Sequence, residues 1–209
     1  LITQIMTAFV QIIMNKLMTI SGAGTAYGGD IALSVYGMMM KVYQIAHAMF
    51  VGVSSATQPI NGYNFGAKNY DRVRKTYKTA AGIAILISIL WFAVYQLLPG
   101  QIAGLFVSGN PLYTECAAHS FRISMLAFFL YGLHMTPASF FPGTGKPSRA
   151  LVISLVRQAV LMIPLSLILS GKFGLDGALM AAPITDTLVF ILALTLAVNE
   201  FRQWKKQGL

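Results

Sequence analysis

Six apolar runs alternate with short polar connectors along the chain. They are Ile2 to Ile20, Ile31 to Val53, Thr79 to Leu98, Tyr113 to Phe141, Leu151 to Leu169 and Ala178 to Val198. Each is long enough to cross a bilayer, which takes roughly 20 apolar residues. The pattern predicts an all-α membrane protein: a six-transmembrane-helix bundle over residues 1–199, then a basic cytoplasmic tail at 200–209. The connectors differ in kind. SGAGTAYGGD and PGQIAGLFVSGNP hold no lysine or arginine, and SGKFGLDG balances Lys172 with Asp176. The second connector carries Lys68, Arg72, Arg74, Lys75 and Lys78 against Asp71, and the fourth, PGTGKPSR, carries Lys146 and Arg149. Pro59, Gly62 and Gly66 are expected to end the second helix, with Gln58, Asn61 and Asn64 satisfying the backbone groups freed there.

Charge turns this pattern into a topology. With Arg202, Lys205 and Lys206 of the tail, the even connectors and the tail hold ten cations, and the odd connectors hold one. Connectors rich in Lys and Arg stay on the cytoplasmic side, so a multi-pass plasma-membrane protein with both ends in the cytoplasm is expected. Composition agrees with a lipid solvent: 56% of the residues are hydrophobic and 10% charged, against about a quarter charged in soluble domains. The net charge of +9 is not set among aromatic residues on a polar surface, so no nucleic-acid partner is expected. Cys116 is the one cysteine, which excludes an internal disulfide and a cysteine-based metal cluster. His47, His119 and His134 share no i, i+4 spacing with one another, so no metal site and no cofactor is expected. The chain begins at Leu1, already within an apolar run, and reads as a piece of a longer protein.

Polar residues inside the runs supply the candidate chemistry. In the first helix Gln4, Gln11 and Asn15 share a face, which would either bond to neighbouring helices or line a wet cavity. In the second, Tyr36, Met40, Gln44 and His47 form one stripe, with Lys41 beside it and Met38, Met39 and Met49 near; such a surface adapts to varied apolar ligands, and equally fills cores. Lys41, Arg122, Arg157 and Asp186 lie well inside the runs, where charges mark a pathway or a pair. Asp186 is the single acid among them, so it needs a cation: Arg157 is the first candidate and Lys41 the second. Pro137, Pro164 and Pro183 are expected to kink their helices.

The residues then resemble a known family. Gly52, Gln58-Pro59, Gly62-Tyr63-Asn64 and Gly66-Ala67 with the basic run, Phe140-Phe141 through Gly145-Lys146-Pro147, Ser154 to Gln158, Ile163-Pro164-Leu165, and Gly174, Gly177, Pro183 and Asp186 occur in an order similar to the second half of multidrug and toxin extrusion (MATE) transporters, nearest the MepA-like branch. The resemblance implies one lobe, helices 7 to 12, of a twelve-helix carrier that exports drug-like, often cationic compounds in exchange for Na+ or H+. Its partners would be the lipid bilayer, organic cations and an N-terminal six-helix lobe. In the NorM-like branch, carboxylates in helices 7 and 10 help bind a cation; here the matching helices offer Gln4, Gln11, Asn15, Arg122 and His134. The resemblance to the MepA-like branch therefore implies that the coupling ion binds in the N-terminal lobe. Alternatives are a lipid-linked sugar flippase of the same superfamily or a non-transporting membrane assembly subunit. An intramembrane enzyme using His47, His134 or Asp186 finds no HExxH, GxSxG or paired acids to support it.

Overall fold

The computed structural model describes residues 2–107 and 109–206. Among these it is helical almost throughout. Helix α1 is Ile2–Ala23 and α2 is Gly29–Gly66, with Asp30 in the first turn of α2, where its charge suits the helix dipole. Helix α3, Tyr70–Leu97, is capped by Asn69, whose side chain accepts from the Arg72 amide. A short α4, Pro99–Phe106, precedes α5, Pro111–Ser124, which starts with Pro111 behind an Asn110 cap on the Tyr113 amide at 3.1 Å. A 3-10 turn at Phe128–Leu130 leads into α6, Tyr131–Gly143. Helix α7, Pro147–Leu155, widens into a π-helical stretch, Val156–Met162, that continues as α8, Ile163–Lys206.

By length and composition, α1, α3 and the run Pro147–Lys206 can cross a bilayer, and α5 with Phe128–Gly143, bent by 45°, makes a further crossing. The 60 residues from Pro147 to Lys206 would stretch about 90 Å as one straight rod, three times a hydrocarbon core. Gly174 breaks them into two legs: its φ of 60° and ψ of −132° lie where side-chain-bearing residues are strained. Helix α2 is long but does not qualify by composition, because Lys41, Gln44 and His47 interrupt its apolar run. It is a packed central helix, with Met39, Ala46 and Phe50 buried in the largest core beside Tyr95, Phe121, Phe128 and Tyr131.

Four boundaries differ from the sequence reading. Helix α2 runs through Pro59 and Gly62 and stops at Gly66. One lost hydrogen bond does not end a helix that is held by packing, and here α2 lies close against the end of α6: a Cβ on Gly143 would sit 3.0 Å from the Gln58 carbonyl oxygen. The chain reverses only at Lys68, which takes a left-handed φ of 57°, while the Asn69 amide donates to the Asn64 carbonyl. Accordingly α3 begins at Tyr70 rather than Thr79. The predicted 113–141 helix is broken at Met125–Leu130, where Phe128 wedges between Tyr95 and Tyr131, stacked 5.0 Å from the latter. The Gly132 amide is satisfied there by Ser88 Oγ at 2.8 Å. Finally, residues 200–206 are not a loose tail: they continue α8, with Glu200 and Trp204 buried. Leu1 and residues 207–209 of the predicted units lie outside the described residues.

The connectors gather at two ends. Trp204 packs on Tyr70 (5.2 Å), Phe65 (5.7 Å) and Phe140 (5.8 Å), and Glu200 beside it binds Lys146 and Arg149. The α2–α3 turn, the α6–α7 turn and the end of α8 therefore share one basic end. At the other end Tyr27 donates to Glu115 (3.4 Å), His119 meets Asp176 (2.6 Å) and Ser21 meets Ser170 (2.7 Å). Burial, with Glu115 adding to it, pushes the Tyr27 phenol above its ordinary value.

Candidate functional site: a polar wall on the first two helices

Helices α1 and α2 run antiparallel, closing on each other where Gly22 abuts Ala32. Gln4, Thr7, Gln11 and Asn15 on α1, and Lys41 and Gln44 on α2, are all exposed. His47 is half-buried at the edge of an open groove of about 390 Å³ that it shares with Thr3, Gln4, Thr7, Ala8 and Gln11. Gln11 and His47 thus line one groove. The stripe read from the sequence divides, however. Tyr36 is 6% exposed and belongs to the core with Met14, Met18 and Leu179, and Met40 leans on that core from its margin. It is therefore a packing residue rather than a wall residue, because the α8 leg covers it.

Behind the wall lies a polar network in an otherwise apolar interior. His47 Nδ1 is 2.9 Å from the Tyr131 hydroxyl, which is 2.6 Å from the Tyr43 hydroxyl. The Arg157 guanidinium lies 5.7 Å from the Tyr131 ring centre and contacts Asp186 Oδ1 through Nε (3.0 Å) and Nη2 (2.9 Å). Arg157 and Asp186 are thus paired, and Lys41 faces outward. The next residue, Gln158, accepts from the Thr7 hydroxyl at 2.9 Å. These two consecutive side chains, both in the π-helical stretch, reach different neighbours, Asp186 on α8 and Thr7 on α1; widened turns of this sort recur at functional positions. His134 is buried edge-on to Tyr131 at 4.7 Å, and its Nδ1 has no hydrogen-bond partner.

The connector motif is a packing joint. Gln58, Pro59, Gly62 and Gly66 are exposed, whereas Asn64 is buried and donates to the Ile60 carbonyl at 2.8 Å. Gly62 faces the Gly143 carbonyl closely enough that a Cβ would sit 3.4 Å from it. Two clusters escaped sequence reasoning. Glu200 is fully buried and accepts from Lys146, Arg149 and Trp204 Nε1; its signal was an acid four residues before a tryptophan in a basic segment. His119 does have a carboxylate, Asp176, 57 positions away; nothing local in sequence foretells that contact. Among the described residues no group of three or more His, Cys, Asp or Glu side chains is placed to hold a metal.

The MatE family model matches residues 5–168. The chain belongs to the MatE family. It is 25% identical over 172 residues to the multidrug export protein MepA of Staphylococcus haemolyticus, an alignment covering 82% of this chain and 37% of that relative. Its fold matches that of an outward-facing multidrug resistance MATE family transporter of the MOP superfamily with a TM-score of 0.87 at 20% identity, over 98% of this chain and 45% of the other. An inward-facing structure of such a transporter matches with a TM-score of 0.87 at 19% identity, over 99% and 47%. The chain spans less than half the length of each of these proteins. It is MepA-like in sequence and an all-α membrane protein of MatE architecture.

Proposed function

We propose that this chain is one six-helix lobe of an ion-driven multidrug efflux antiporter, and that its α1–α2 wall faces a second lobe across a central cavity. The observation that carries this reading is the exposure of Gln4, Gln11, Asn15, Lys41 and Gln44 on membrane helices. Hydrocarbon penalises such groups, so the face that holds them is turned to water or protein. The likeness in fold to both outward- and inward-facing transporters supports a lobe that moves as a unit, as rocking carriers require.

Drug-like, often cationic compounds are the proposed cargo, exchanged for Na+ or H+ bound in the other lobe. Lys41 constrains that cargo: a cation docks away from it or against an acid of the second lobe. The sugar-flippase alternative calls for several free arginines on the wall, and Arg157, the one nearby, is engaged by Asp186. The basic end is assigned to the cytoplasm and the membrane to the plasma membrane, with both chain ends inside. The test is efflux of a fluorescent organic cation from cells expressing the full-length transporter. Accumulation should fall, recover when the ion gradient is collapsed, and be unchanged by this chain expressed alone. Full-length protein in the membrane without efflux overturns the proposal.

A further inference from the structure

The groove at His47 holds a ligand by hydrogen bonds and contact rather than by a fixed charge. Among the described residues its lining is Thr3, Gln4, Thr7, Ala8, Gln11 and His47, and none of these is an acid, a lysine or an arginine. The Gln4 and Gln11 amides each offer a donor and an acceptor, and both residues are exposed. A neutral imidazole differs: one nitrogen donates, the other accepts, and the surroundings decide which is which.

For His47 the surroundings are two tyrosines. Its ring stacks on Tyr43, with 9° between the planes and 5.9 Å between the centres, and meets Tyr131 edge-on at 6.2 Å. Nδ1 is taken by the Tyr131 hydroxyl, which in turn meets the Tyr43 hydroxyl. Nε2 is therefore the nitrogen left for the groove.

This chain of three groups closes in either of two directions. In one, Tyr43 donates to Tyr131, Tyr131 donates to Nδ1, and Nε2–H donates into the groove. In the other, Nδ1–H donates to Tyr131, Tyr131 donates to Tyr43, and Nε2 accepts from the groove. Both internal hydrogen bonds survive in each, so neither direction strands a buried group. Passing between them breaks the Nε2–H bond and forms an Nδ1–H bond, water taking one proton and giving the other while the hydroxyls rotate. The second direction depends on Tyr43: Tyr131 is buried, and without that acceptor its hydroxyl proton is left unpaired, at a cost.

We propose that the groove binds the uncharged heteroaromatic part of the cargo, and that His47, positioned by Tyr131, bonds donors and acceptors alike by adopting the tautomer each one requires. The proposal rests on the reading of the α1–α2 wall as cargo-facing and says which chemistry that wall takes.

The test uses the full chain purified in uncharged detergent at neutral pH, with isotope-labelled histidine whose ring-nitrogen shifts report the tautomer by nuclear magnetic resonance. The His47 signal is the one lost in H47Q. The probes are indole, an aromatic that only donates, and quinoline, one of similar size that only accepts. Quinoline should raise the ratio of Nε2–H to Nδ1–H at His47 by about threefold or more, and indole should lower it by as much, the effect of one hydrogen bond. Y43F should hold His47 as Nε2–H, weakening indole about tenfold and leaving quinoline within about twofold. If Y43F does not fold, the opposed shifts in the unaltered chain decide. Shifts in one direction for both probes, no response at His47, a doubly protonated ring, or equal weakening of both probes in Y43F overturns the proposal. Absent efflux with the opposed shifts intact overturns the transporter reading alone.

Discussion

A single carboxylate shows how unequal the partners in a buried cluster are. Glu200 has no exposed side-chain surface, whereas Lys146 and Arg149 keep about a third of theirs (35% and 31%). Removing the acid lets both cations turn to water, so Glu200→Gln should cost about 1–3 kcal/mol, the worth of lost charge-assisted bonds. Removing both cations strands a charge in the interior, and Lys146→Met with Arg149→Met should cost more, about 3–5 kcal/mol. Thermal unfolding of the purified variants ranks the two. Asp186 poses the same question deeper in the lobe, where Arg157 has 26% of its side chain exposed. Asp186→Asn in the full-length transporter should lower the yield of folded protein more than it alters ion dependence, as read by size-exclusion chromatography and by efflux at varied Na+ and pH. Normal yield with lost ion dependence contradicts a structural pair.

At the level of elements, the bent α5–α6 crossing depends on backbone contact with α3. A Cβ on Gly132 would lie 2.4 Å from the Ala84 carbonyl oxygen, and backbone cannot swing aside as a side chain can. Gly132→Ala should therefore push α6 from α3 and destabilise the lobe by about 1–3 kcal/mol or more. Gly82 on the same α3 has open space around it, so Gly82→Ala should be neutral or slightly stabilising by helix propensity, about 1 kcal/mol at most. Comparing the unfolding temperatures separates close packing from propensity. The apolar runs announced where helices lie, but Pro59 misled as a terminator and the 125–130 break gave no sign. Local rules describe what an isolated helix prefers, and both outcomes depend on what the neighbouring helix presses against it.

For the whole molecule, the alternation of basic and non-basic connectors translates into two chemically distinct ends. Cysteines placed at Lys75 and Lys172 should react with a membrane-impermeant thiol reagent from opposite sides of the membrane, Lys172→Cys from outside intact cells. The native Cys116 is buried and should remain silent. The same chemistry examines the wall: in the full-length transporter Gln44→Cys should be labelled through water, while Leu86→Cys, on the face given to lipid, should not. Labelling at both positions alike would mean that the polar wall is not an aqueous one.

Hydrophobic length and the distribution of lysine and arginine suffice to specify an all-α membrane protein with its cations gathered at one end, because lipid imposes those requirements on any sequence that enters it. The ordered glycines, prolines and Asp186 suffice for the family resemblance. Which polar residues act together was decided only by packing. The α8 leg withdraws Tyr36 into the core, packing sets Arg157 against Asp186 and Gln158 against Thr7, and the end of α8 folds back to bury Glu200. Helical spacing relates residues along one rod; the rotation of each rod about its own axis, and hence which faces meet, comes from the neighbours it packs against.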